Sequence, residues 1–184
     1  MLAGINFRKR LALLFGVLMV LGYSQALAQD QEEESKDVKL YREDYDRYQK
    51  MMAIQDSTKR ADALFNFIKD RPDSKVVPNA QMAYLQIVDS LSKAEKFPAV
   101  ITQCERMIKV RPSIGETYWF YGGALKNTNR LPEAMIALAK CTLIKNGLST
   151  RANEFLEYLF RSQHQGSLIG LEKIKKTAKE ELGR

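Results

Sequence analysis

The side chains that most often carry out catalysis or bind metals are scarce in this chain and do not cluster. His164 is the only histidine, and it lies in a polar segment between two apolar stretches. A metal site or an acid–base pair would need a second histidine, or a cysteine with a carboxylate, close to it. The sequence supplies neither, so we predict that His164 is a solvated loop residue.

The two cysteines, Cys104 and Cys141, do not form a C-x-x-C redox motif. Free cysteine is among the residue types most often found buried, and both cysteines fall within apolar helical patterns. We therefore expect two buried thiols. A disulfide is the alternative, because the chain has features of an exported protein and exported proteins fold under oxidising conditions.

Other signatures of chemistry are missing from the sequence as well. It contains no glycine-rich phosphate loop, no nucleophile motif and no cluster with metal-ligand spacing. We predict a protein with no catalytic residue, no metal ligand, no cofactor and no small-molecule substrate, and hence no enzyme. Its function is then expected to depend on its surface, which the arrangement of its helices determines.

A repeat with a period of 34 residues organises the centre of the chain. Each copy opens with a tyrosine, followed by apolar, aromatic or small residues at i+3, i+4 and i+7, the spacing of one helix face. These residues are Tyr84, Ile87, Val88 and Leu91 in the first copy, and Tyr118, Tyr121, Gly122 and Leu125 in the second. Pro98 and Pro132 then mark the first turn of a second helix in each copy.

Weaker copies of the repeat flank this centre. Upstream, a helical stripe from Tyr41 to Met52 precedes the phrase 67–72, which recurs 40 residues later. Downstream, Ala152, Phe155 and Leu156 continue the first-helix pattern. The predicted fold is all-α, an α-solenoid of about four helix–turn–helix units with degenerate first and last units. The predicted units are 40–72, 79–112, 113–146 and 149–182.

The period and pattern resemble those of tetratricopeptide (TPR) repeats, which stack into protein-binding solenoids. The resemblance covers about residues 40–184 and is closest over 79–146, although Asn146 stands where a TPR repeat closes with proline. The segment 71–80 is also similar to the linker phrase of bacterial envelope TPR proteins, including the β-barrel-assembly lipoprotein and the Tol–Pal-associated coordinator. The lipobox cysteine of the former is absent here. The resemblance implies a helical scaffold of the cell envelope.

Residues 1–28 have the three parts of a signal peptide. The segment 8–10 is cationic, an apolar run spans 11–23, and 26–28 is an A-x-A cleavage site. We predict cleavage before Gln29 and a periplasmic or secreted mature chain. An uncleaved membrane anchor is the alternative, although the apolar run is shorter than the roughly 20 residues that a spanning helix needs.

The mature chain is expected to begin with an acidic flexible linker, residues 29–39, which contain few apolar side chains. Loss of Arg8, Lys9 and Arg10 with the leader lowers the formal charge from +7 to +4. That charge is too low to predict nucleic-acid binding. We also expect no membrane contact once the leader has been cleaved.

A last amphipathic helix is predicted from about Ser167, with Leu171 and Ala178 on its apolar side. Terminal repeats of a solenoid need a polar outer face, because no further repeat packs on them. We interpret this helix as such a cap. The alternative is a basic amphipathic helix that lies on an anionic membrane.

The TPR resemblance also indicates where a partner would bind, since the first helix of each TPR repeat lines a concave groove. Trp119, the only tryptophan, falls beside the core stripe of such a helix. Exposed aromatic and basic side chains are typical anchors of interfaces. The alternative is that Trp119 is buried against a neighbouring helix. The candidate groove residues are Leu85, Asp89, Lys93, Trp119, Lys126, Asn127, Asn153, Phe160 and Arg161.

In this groove, Leu85, Trp119 and Phe160 are expected to form an exposed apolar strip edged by basic residues. We therefore hypothesise an exported, non-catalytic adaptor that binds a protein or peptide segment there during envelope complex assembly. The alternative is a structural subunit of an envelope complex that contacts partners through its convex face or its terminal helices.

The signal peptide leads to a first test. Intact mass spectrometry of the protein from the soluble envelope fraction should give a chain that starts at Gln29, since the leader contains a complete cleavage signal. A full-length chain in the membrane fraction would support the anchor instead.

Overall fold

The computed structural model describes residues 36–183, which form a succession of α-helices without any β-strand in that range. The helices are α1 (36–52), α2 (Ser57–Asp70), α3 (Val77–Lys93), α4 (Phe97–Val110), α5 (Gly115–Asn127), α6 (Leu131–Leu143), α7 (Ser149–Gln163) and α8 (Leu171–Glu181). The connections between them are short, so successive helices are neighbours in space. This organisation confirms the predicted all-α fold.

The predicted signal peptide and most of the predicted linker lie outside the described residues. Residues 36–39, which we assigned to the linker, instead belong to α1. Asp37 Oδ2 lies 3.0 Å from Lys75 Nζ, which ties this first turn to the connection between α2 and α3. A low content of apolar side chains therefore does not by itself exclude a helix.

Local signals explain where several helices begin. The Asp56 side chain accepts a hydrogen bond of 2.8 Å from the Lys59 backbone N–H, which caps α2. Pro98 and Pro132 occupy the first turns of α4 and α6, as predicted. Proline is tolerated there because the first backbone N–H groups of a helix have no partner within the helix.

Successive helices from α2 to α7 pack on one another, as expected for a solenoid, and α8 packs on α6. The core consists of two apolar clusters, one built mainly on α2, α3 and α4, and one on α5, α6, α7 and α8. The half-buried side chains of Ile101 and Tyr121 pack against both clusters and join them. The helix pairs therefore share one continuous interior rather than forming separate units.

The close approach of α5 and α6 depends on Gly122. A Cβ atom at this position would lie 2.8 Å from Leu138 Cγ and 3.3 Å from the Ala134 carbonyl oxygen. These distances are shorter than ordinary van der Waals contacts, so only glycine fits without a shift of α6. Gly123, one residue later, faces open space. The close packing of α5 on α6 therefore requires glycine at this position of the repeat.

The terminal helix α8 packs against α6. Leu171 and Ala178 are buried in the second cluster, and Lys140 of α6 forms an ion pair of 2.6 Å with Glu181. The helix begins at Leu171 rather than near Ser167, because residues 164–170 form the preceding turns. Its apolar side is covered by protein, as the cap interpretation expects. None of the helices between residues 36 and 183 is both long and apolar enough to cross a membrane.

The two adjacent glycines provide a matched test of this packing. Gly122→Ala should lower the free energy of unfolding by about 1–3 kcal/mol, because the added methyl group overpacks the contact with Leu138. Gly123→Ala should raise it by up to about 1 kcal/mol, because alanine favours the helix and the site is open. Urea denaturation of both variants measures the difference, and equal effects would contradict the close packing of α5 on α6.

Candidate functional site

The structure places His164 immediately after α7, on the surface. Its ring stacks on Phe160 with 3.9 Å between ring centroids and 5° between planes, and its Nδ1 lies 2.8 Å from the Phe160 carbonyl oxygen. Between residues 36 and 183, no group of three histidine, cysteine or carboxylate side chains is arranged to hold a metal ion. The contacts of His164 hold the end of α7 in place, and its position confirms the prediction of a loop residue.

Both cysteines are free and buried, as predicted, and the alternative disulfide is not formed. Burial away from water raises the pKa of the Cys104 thiol to about 12 and that of Cys141 to about 11. Such thiols remain protonated at neutral pH, and the thiolate is the reactive form. The two residues therefore act as core packing groups.

The odd-numbered helices carry the predicted groove residues on a surface that we call the odd-helix face: α3 with Leu85, α5 with Trp119, and α7 with Asn153. Trp119 is half-buried, and its ring packs on Phe155 with 6.0 Å between centroids. Phe155 stacks in turn on Tyr158 at 6.5 Å, and Tyr158 is 64% exposed. These three rings form an aromatic row that links α5 to α7 and ends in solvent.

Phe160 does not belong to this row, and its predicted place in an exposed apolar strip is wrong. Its side chain is only 3% exposed and lies in the second core cluster. Residues 164–170 fold back over it: His164 stacks on the ring, and a Cβ at Gly170 would be 3.6 Å from Phe160 Cζ. Gly170 has φ 99°, a conformation that favours glycine and allows this return.

The predicted basic edge is only partly available to a partner. Lys93 pairs with Asp89 at 2.6 Å, so its charge is already compensated on the surface. Lys126 and Arg161 are exposed and have no carboxylate within 4.0 Å in the described part of the chain. Lys126 approaches Asn127 Oδ1 at 3.4 Å, and Arg161 approaches the Gly166 carbonyl at 3.4 Å. Two free cations thus lie on the helices that carry the aromatic row.

The amides of the predicted site are engaged within their own helices. Asn127 donates a hydrogen bond of 3.0 Å to the Gly123 carbonyl, and Asn153 donates one of 2.8 Å to Glu157. Each bond spans one helical turn on the surface. The side chains are therefore held in fixed orientations, and a partner that bonds to them has to replace these contacts.

Two exposed apolar side chains on these helices were missed. Tyr158 is one of them, and Met82 on α3, 63% exposed, is the other. The repeat offset could have identified Tyr158, because the matching positions in the earlier copies are Ser90 and Ala124. Ser90 is exposed as Tyr158 is, whereas Ala124 is buried, so the offset shows the change in side-chain size but not the exposure.

Comparisons with protein-family models, with curated proteins and with solved structures find no match to this chain.

The buried thiols lead to a prediction on alkaline stability. The pKa of Cys104 is raised to about 12 in the folded protein, against about 8.5 when unfolded. The stability that this shift contributes is complete below about pH 8.5 and is lost as the pH rises toward 12. Urea midpoints should therefore fall over this range, and more steeply for the parent than for Cys104→Ala. The difference in slope should be up to about 1.4 kcal/mol per pH unit. Parallel pH profiles would contradict a protonated, buried thiol.

Proposed function

We propose that this protein is an exported, non-catalytic adaptor of the TPR type, which binds a protein or peptide segment in a concave groove during envelope complex assembly. The proposal joins the TPR-like repeat pattern and the signal-peptide pattern of the sequence to the aromatic row on the odd-helix face. The observation that carries it is the exposed ring of Tyr158, supported from below by Phe155 and Trp119.

An aromatic row of this kind suits recognition of apolar side chains. Large, rigid rings provide contact area at a low cost in conformational entropy, and partly buried aromatic residues are typical hot spots of interfaces. The supporting stack of Phe155 and Trp119 holds Tyr158 in place before a partner arrives. An apolar residue of the partner would pack on this row.

The charges on the helices that carry the row favour a partner segment with a carboxylate. Lys126 and Arg161 have no carboxylate partner among the described residues, and their ammonium and guanidinium groups lie in solvent. Arginine binds carboxylates through two parallel hydrogen bonds, and lysine through a single charge-assisted one. We expect a segment that presents an apolar side chain followed by an acidic group, in an extended or helical form.

A structural subunit that binds through its convex face or its terminal helices is the second candidate. The observation that favours it is an exposed apolar stretch on α1, where Val38, Leu40 and Tyr41 are each about half exposed. Tyr41 and Tyr45 stack with 6.0 Å between centroids, so this stretch is ordered as a surface. Binding there would leave the odd-helix face free.

Site-specific photocrosslinking in the native host separates the two candidates. A benzophenone side chain at position 158 should give a discrete protein adduct, because this position lies at the end of the aromatic row. The same group at position 169 is the control, since Ile169 is 88% exposed but lies in the loop between α7 and α8. Adducts at position 41 but not at 158 would support the structural-subunit alternative and contradict groove capture.

The captured partner then allows a measurement of affinity. Trp119→Ala should weaken binding by about 30-fold, equivalent to about 2 kcal/mol, because it removes the base of the row. Arg151→Ala, an exposed residue on α7, is the control and should leave the affinity unchanged. Helix content should remain the same in both. A large fall in the melting temperature of Trp119→Ala, with unchanged affinity, would assign Trp119 to the core.

A further inference from the structure

A cavity of about 490 Å³ opens between α4 and α6, with α5 as its floor. It is lined mainly by even-numbered helices and is therefore separate from the odd-helix face. Its walls combine aliphatic side chains with charged groups, and two tyrosines lie at its base. The lining residues are Glu105, Ile108, Lys109, Tyr118, Tyr121, Glu133, Ile136, Ala137, Lys140 and Glu181.

The corresponding gap one repeat earlier, between α2 and α4, is filled by the protein itself. Arg106 of α4 lies across it, with its guanidinium 4.3 Å from the centroid of Phe65 and 2.6 Å from the Asp62 carboxylate. The Gln103 side chain fills the space beside it. Its Oε1 accepts hydrogen bonds of 2.6 Å from Tyr84 and 3.2 Å from Arg106. An arginine between two helices thus closes the first gap.

The repeat offsets show why the second gap stays open. Thirty-four residues after Gln103 and Arg106 stand Ala137 and Lys140, and Tyr84 is matched by Tyr118. At the offset of 40 that relates α2 to α4, Phe65 is matched by Glu105. The Gln103 side chain, which fills the first gap, is therefore replaced by the methyl group of Ala137 in the second gap. In the first gap the Arg106 guanidinium contacts the ring of Phe65. The second gap has the carboxylate of Glu105 at the position that matches this ring.

Lys140 does not take over the role of Arg106. Its ammonium lies 5.6 Å from the centroid of Tyr118 and pairs at 2.6 Å with Glu181 of α8, on the far side of the cavity. Glu105, on the near side, accepts a hydrogen bond of 3.0 Å from the Tyr121 hydroxyl. No cation lies within 4.0 Å of Glu105 in the described residues. The carboxylate is exposed, and the nearby charge of Arg130 acts on it without forming an ion pair of 4.0 Å or less.

We propose that this cavity binds an arginine side chain of a second protein. The aliphatic stem would lie between Ile108 and Ile136, beside Ala137, in the space that Gln103 and Arg106 occupy in the first gap. The guanidinium would bond to Glu105 and lie against the tyrosines. Arginine suits this environment because its flat, weakly hydrated head combines stacking with directed hydrogen bonds to a carboxylate.

The remaining charges around the cavity agree with this choice. Glu133 is bonded through both oxygens to Arg130, which raises the pKa of that arginine and lowers the pKa of the carboxyl. Lys140 is held by Glu181. Glu105 therefore remains as the one carboxylate of the lining without an ion pair within the described residues, although the charge of Arg130 acts on it as well as on Glu133. Lys109, which is exposed, is the cation of the lining that could attract an acidic group instead.

Titration with capped amino acids, followed by amide chemical shifts in NMR spectra, tests the proposal on the mature protein. N-acetyl-arginine methylamide should shift the amides of residues 105–109 and 136–140 in a saturable manner. The matching lysine derivative should bind more weakly, because it has no planar head. The matching glutamate derivative should leave these amides unchanged. Stronger binding of glutamate than of arginine, or no response to arginine, would overturn the proposal.

Three variants assign the binding to this cavity. Ala137→Gln, which imitates the filled first gap, should abolish the response. Glu105→Gln should weaken binding by about tenfold, since it removes a charge-assisted hydrogen bond. Glu154→Gln, an exposed control on α7, should change nothing. If Ala137→Gln lowers the melting temperature, the exposed Glu105→Lys takes its place and should likewise abolish binding. Unchanged arginine binding in Glu105→Lys would contradict the site.

Discussion

Contacts between neighbouring helix pairs cover apolar side chains between residues 36 and 183, and this constraint underlies the rest of the structure there. Helix α5, with the buried side chains of Tyr118 and Leu125, packs on α4 of the preceding pair as well as on α6, and α6 in turn is covered by α7 and α8. In a stack of repeats, stability comes from such nearest-neighbour interfaces. The chain can vary its exposed helix faces without losing its fold, provided that the contacts between neighbours are kept.

Two surfaces arise from this freedom, and each is a departure from the repeat. On the odd-helix face, Tyr158 replaces the small residues Ser90 and Ala124 of the earlier copies and extends an aromatic row into solvent. Between the even-numbered helices, Ala137 replaces Gln103 and leaves a cavity. One surface gains a large side chain and the other loses one.

Much of the fold could be read from the sequence because helix periodicity and the 34-residue offset are local patterns. They placed Pro98 and Pro132 in first turns and both cysteines in the core. They failed at Phe160, because the course of the loop that covers it depends on Gly170 and on the docking of α8. A helical pattern predicts which face of the helix a side chain lies on. It does not predict whether a later segment of the chain buries that face.

The cavity could not be predicted from the sequence, for a related reason. The pairs Gln103 with Ala137 and Arg106 with Lys140 are visible at the repeat offset. The sequence does not show that these differences open a cavity. That depends on the contacts of Arg106 with Phe65 and Asp62 and on the ion pair of Lys140 with Glu181. These are contacts between helices far apart in sequence, which periodicity does not report.

Truncation of the chain after Gly166 tests the central claim, that each helix of the stack is stabilised by the helices packed on it. It removes the Leu171 and Ala178 contacts with the second core cluster. At about 25 cal/mol per Å² of apolar surface, a few hundred Å² amounts to several kcal/mol, against a typical total of about 5–15 kcal/mol. Urea denaturation should show a much lower midpoint or aggregation. An unchanged midpoint, with loss of binding to anionic vesicles, would contradict the cap and support a membrane helix.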